Sequence, residues 1–150
     1  LGFESAFWFT IPTVGAVSSY GQKLLAPDAK SLCAILYSGS NQMDQTEYGL
    51  VSELEDGTVF STSASSLRRA HPPNCVVAYL PGRPFGEIFE RHQQGLQQAD
   101  SRPRTFHGDE EIEAFTLKNQ QMSMDFNIER GVYTEIDAAE IERLWSEQQS

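Results

Sequence analysis

The stretch Tyr48-Gly49-Leu50-Val51-Ser52-Glu53-Leu54 alternates in polarity, reaches Asp56-Gly57, and resumes as Thr58-Val59-Phe60-Ser61-Thr62. A period of two places Tyr48, Leu50 and Leu54 on one side of a strand and Val51, Glu53 and Glu55 on the other. Ser52 is the polar exception on the first side. An Asp-Gly pair in a two-residue loop favours a type I′ turn, because both central residues then take positive φ and the turn matches the twist of paired strands. A β-hairpin is therefore expected here, and it commits the first half of the chain to sheet.

The surrounding sequence extends that sheet. Phe7-Trp8-Phe9-Thr10-Ile11 is dense in aromatic and β-branched residues and stops at Pro12. Val17 to Leu25 is a weaker run, Pro27-Asp28-Ala29-Lys30 supplies turn chemistry, and Leu32 to Tyr37 is an apolar strand followed by the polar loop 38–42. Residues 63–74 form a Ser-, Arg- and Pro-rich loop before a strand from Cys75 to Leu80. About six closely spaced strands without intervening helices predict an antiparallel meander.

Beyond Pro84 the period changes. Phe85, Ile88, Phe89, His92 and Leu96 recur at spacings of three and four, the face of an amphipathic helix. Asp109 is the expected N-cap of a second helix carrying Ile112 and Phe115. Residues 119–128 fit a helix or a strand equally, since Met122, Met124, Phe126 and Ile128 alternate. Residues 131–136 suggest a short strand. Asp137 to Glu140 has capping-box form, ahead of a last helix whose expected buried stripe is Ile141, Leu144 and Trp145. The expected fold is α+β: a single domain over 1–150, mainly strands over about 1–80 and mainly helices over 84–150. Two or three amphipathic helices are expected to pack on one face of the sheet.

Charge narrows the function classes. The 150 residues carry a formal charge of −10, which argues against a general nucleic-acid binder, since phosphate neutralisation needs a basic surface. No apolar run approaches the length of a membrane-spanning helix. The start at Leu1, with neither methionine nor a signal-peptide pattern, reads as an excised domain or a processed product. Cys33 and Cys75 lie in apolar runs and read as buried thiols, with a single disulfide as the alternative.

Charge is also segregated. Residues 1–67 balance at −5, residues 68–108 at +3 and residues 109–150 at −8. Arg68, Arg69, Arg83, Arg102 and Arg104 are the candidate binding residues of the basic segment, suited to an acidic protein partner or an anionic lipid headgroup. The ordinary alternative is pairing with the acidic C-terminal helices of the same chain.

Chemistry is sparse. The three histidines, His71, His92 and His107, form no His-x-x-x-His pair, and no Cys-x-x-Cys occurs, so neither a metal nor any other cofactor is expected. His92 on the apolar helix face reads as a satisfied core residue. No Gly-x-Ser-x-Gly elbow or phosphate-binding glycine loop is present. Glu55 and Asp56 serve the hairpin turn. No catalytic residue is assigned.

Several segments carry a resemblance: Leu1-Gly2-Phe3, then Leu50 to Val59 (LVSELEDGTV) with Ser61-Thr62-Ser63, then Glu87, Glu90, Arg91 and His92, and later Glu129 to Tyr133. Together they resemble uncharacterised bacterial proteins with a "vSELeDGTvl-T" hairpin followed by a "ly-RH" helix. The resemblance implies a domain tethered to a bacterial membrane beside transmembrane helices; without the tether a cytoplasmic location is expected. It implies no activity. The leading expectation is a non-enzymatic binding module for a partner protein or membrane face. The alternatives are a carrier holding an apolar ligand between the sheet and the Phe85–Leu96 helix, and an unrecognised hydrolase using Ser or Cys with His71 or His92.

Overall fold

A computed structural model describes residues 2–11, 18–39, 44–134 and 136–149. It is an α+β domain: a six-stranded sheet followed by three helices. The strands are β1 (Glu4–Ile11), β2 (Ser18–Leu25), β3 (Leu32–Gly39), β4 (Asp44–Glu53), β5 (Val59–Ser63) and β6 (Cys75–Tyr79). The helices are α1 (Phe85–Gln98), α2 (Asp109–Glu129) and α3 (Ala138–Gln149). Strand order in space follows strand order in sequence. The expected start of the second strand at Val17 and most of the loop 38–42 lie outside the described residues.

The first five strands are antiparallel neighbours, whereas β6 lies parallel to β5, with Val59 opposite Cys75 and Ser63 opposite Tyr79. The meander thus ends one strand early. The loop 64–74 is long enough to return the chain to the start of β5, which a tight hairpin cannot do.

The hairpin at Asp56-Gly57 forms with a different turn from the one its sequence suggests. The Gly57 N–H donates to the Leu54 carbonyl at 3.0 Å, and the Leu54 N–H donates to the Thr58 carbonyl at 2.8 Å. Only Gly57 has positive φ, at 88°. This is a three-residue loop, a type I turn closed by a left-handed glycine, which also matches strand twist. The Asp56 carboxylate accepts the Thr58 N–H at 2.9 Å, and that bond holds its carboxyl below the usual range.

The helices divide between the two faces. Ile88, His92 and Leu96 of α1 are buried, and α1 packs on the face carrying Leu50, Ser52, Phe60 and Thr62. Ile112 and Phe115 of α2 pack with Leu32, Val51 and Val59 on the opposite face. The expected single helical roof is α1 alone. The strands explain the split: Leu32, Val51 and Val59 would otherwise face water, so α2 crosses to cover them.

Residues 119–128 are helical within α2, and residues 131–134 form turns rather than a strand. Gly108, not Asp109, is the N-cap of α2. The expected buried stripe of α3 is only partly covered: Ile141 is 41% exposed and Trp145 47%, while Leu144 is partly buried. Asp137 does cap α3, accepting the Glu140 N–H at 2.8 Å. Cys33 and Cys75 are both free thiols.

Candidate functional site

The α1 face is closed around a polar chain. His92 is fully buried; its Nε2 lies 2.9 Å from Ser52 Oγ and its Nδ1 3.0 Å from Thr62 Oγ1. Ser52 in turn donates to Ser31 Oγ at 3.1 Å. With the Ser52 proton used there, Nε2 carries the imidazole hydrogen and donates to Ser52, while Nδ1 accepts from Thr62. Burial pushes the His92 pKa down to about 4, so the ring is neutral at physiological pH. Ser31, Ser52 and Thr62 have no solvent exposure. A substrate cannot reach these hydroxyls while α1 is docked, so the His92 cluster does not present an exposed nucleophile.

The space expected to hold a ligand, between the sheet and residues 85–96, is filled. Phe60 lies against Gly95 so closely that a Cβ there would collide with its ring, and Leu50 and Ile88 pack beneath.

The α2 face is open. A groove of about 450 Å³ runs between α2 and the sheet. Ala34 and Gly49 form its shallow floor, with Phe9 and Phe115 among its walls and Lys23, Glu47, His71, Cys75 and Asn119 as its polar lining. Burial depresses the Lys23 ammonium to a pKa of about 8 and raises the Cys75 thiol. Partial burial lowers the His71 pKa; its Nε2 lies 2.6 Å from Tyr79 Oη. His71 therefore engages a phenol, and no hydrogen bond to Cys75 is formed among the described residues.

The five candidate arginines are all exposed and fall into two groups. Arg68 stacks over the Tyr79 ring at 5.6 Å, the Arg69 N–H donates to Tyr79 Oη at 3.2 Å, and Arg83 follows in the turn after β6. Arg102 and Arg104 lie at the other end of the strands, bonded through their backbones to Glu55 and Glu53. Arg104 Nε is 3.4 Å from Glu53 Oε1, and Lys118 Nζ is 3.7 Å from the same oxygen. Arg83 pairs with Glu87 of α1 at 3.6 Å. The pairing of Arg83 and Arg104 is thus with α1 and β4, not with the acidic C-terminal helices.

The C-terminal arm is the other exposed region. α2 crosses the sheet toward the β6 edge, where Asn74 Nδ2 meets Met122 Sδ at 3.6 Å. Past that point Met124 is exposed, as are Val132, Tyr133 and Ile136. Among the described residues the backbone of α3 makes no close approach to another strand or helix. Arg143 bridges Glu140 and Glu147 within α3, and the exposed Glu142 adds a further acidic group beside Ile141.

Comparison with protein-family models, curated proteins and solved structures finds no match. No helix among the described residues is long and apolar enough to cross a membrane, and no three His, Cys, Asp or Glu side chains among them gather as a metal site. Sequence reasoning missed Lys23. Its signal was a charged residue in a strand, flanked by Gln22 and Leu24, with nothing to show which face it occupied.

Proposed function

We propose that the domain is a non-enzymatic binding module whose protein partner docks on the C-terminal arm. The observation that supports this reading is α3: an amphipathic helix with Ile141 and Trp145 nearly half exposed and, among the described residues, no close backbone approach to another strand or helix. A 12-residue helix has marginal stability in isolation, so its apolar stripe needs a second surface. The chemistry of that surface follows from the arm. Residues 109–150 balance at −8, and the stripe is bordered by Glu140, Glu142 and Glu147. The complementary partner is a protein with an apolar groove rimmed by Lys and Arg, a helix-in-groove mode. Arg68 and Arg69 beside Tyr79, with Arg83 in the turn after β6, supply a second electrostatic contact in the same reading.

Site-specific photocrosslinking tests the reading. A photoreactive residue at position 145 or 141 is expected to capture one protein, identified by mass spectrometry, with capture weakening as salt rises. The same residue at Arg91, on the exposed side of α1, is the control. Equal capture from position 91, or capture only of a second copy of this chain, overturns the proposal.

A further inference from the structure

Strand register places Phe7, Lys23, Ala34, Gly49, Ser63 and Tyr79 in one row across all six strands. In the middle of that row, small side chains leave a trough in the sheet, and α2 bridges part of it. We propose that this trough binds a single-chain carboxylic acid of medium length, with the carboxylate on the Lys23 ammonium and the alkyl chain along the Ala34–Gly49 floor.

Three observations carry this. First, Lys23 is half buried and has no ion pair among the described residues. A cation taken out of water calls for an anion. Second, the volume of about 450 Å³ falls within the range of small-ligand sites, and the floor is apolar. Third, the Asn119 side-chain oxygen, on the α2 wall, is buried without a donor. A polar group or water accompanying the ligand head would satisfy it.

Cys33, the thiol that interacts electrostatically with Lys23, has its pKa pushed up to about 11 by burial, and Glu47 is the one carboxylate among the described lining residues. Glu47 accepts a hydrogen bond from Ser65 Oγ at 3.2 Å, His71 engages Tyr79, and burial keeps Cys75 a neutral thiol. The lining residues of α2 (Thr116, Asn119, Gln120 and Ser123) are uncharged. Lys23 is the only ammonium or guanidinium among the described lining residues.

The test uses the full chain and defined probes: decanoate, decanol and decyltrimethylammonium, followed by amide NMR. Decanoate is expected to give saturable shifts centred on Ala34, Gly49 and Asn119. Decanol should bind about tenfold more weakly, and the cationic probe more weakly still. Lys23→Met should reduce decanoate to the level of decanol. Ala34→Leu, which fills the floor and leaves the charge, should abolish binding of both. Burial holds the free ammonium near a pKa of 8, so decanoate affinity should fall as pH rises from 7 to 9.5. Equal binding of anionic and cationic probes, shifts confined to α3, or undiminished decanoate binding by Lys23→Met overturns the proposal. The probe series on the unaltered chain decides the matter even where a variant fails to fold.

Discussion

The two faces of one sheet are finished in opposite ways. Under α1 every polar atom of the Ser31–Ser52–His92–Thr62 chain has a partner and none meets solvent. Under α2 a lysine, an unsatisfied amide oxygen and a row of small residues border open space. Both faces contain buried polar groups; the His92 chain satisfies its own within the protein, whereas Gln93 Nε2 of α1, like the Asn119 oxygen of α2, has no partner among the described residues. A closed polar network fixes how a helix docks, whereas an incomplete one marks where something else can bind.

The largest expected effect breaks the closed face. His92→Ala removes a buried ring and strands two hydroxyls, and should cost about 3–5 kcal/mol, read by denaturant unfolding. A loss under 1 kcal/mol would mean that the network does not hold α1. Next comes pH. The folded imidazole titrates near 4 and an unfolded one near 6.5, so the unfolded state takes up the proton first. His92 therefore contributes stability that is fully present above pH 6.5 and lost as pH falls toward 4. The contribution is about 3 kcal/mol, and the corresponding slope should be missing from His92→Phe. On the open face the mutational effect has the opposite sign. Lys23→Met removes an unpaired, half-buried cation and should stabilise the empty protein at pH 7 by about 1–2 kcal/mol. That gain should fade between pH 8 and 10.5, as the folded and then the unfolded lysine become neutral. The smallest effect belongs to the arm: Ile141→Ser with Trp145→Ser should change stability by no more than about 0.5 kcal/mol while abolishing crosslinking to the partner.

Much of the architecture is legible in the sequence because period and burial agree. The alternation from Tyr48 to Leu54 and the three-four spacing from Phe85 to Leu96 each identify an element and its inner face. Ser52 and His92 are each visible as exceptions on apolar faces, yet their pairing is a long-range contact that periodicity cannot express. The division of helices was hidden for a related reason. Val51 and Val59 alternate with residues of the α1 face, and only the sheet's second apolar side reveals that it needs its own cover. At the C-terminus amphipathicity marks a hydrophobic stripe on α3 but does not determine whether the rest of the chain covers it.

Native-state hydrogen exchange on the isolated chain compares the closed core with the open arm in one experiment. Amides of α1, β4 and β5 should exchange only through global unfolding, and those of residues 138–149 should exchange with almost no protection. Protection of α3 equal to that of α1, in a monomer without partner, would contradict the account, because the arm would then belong to the core.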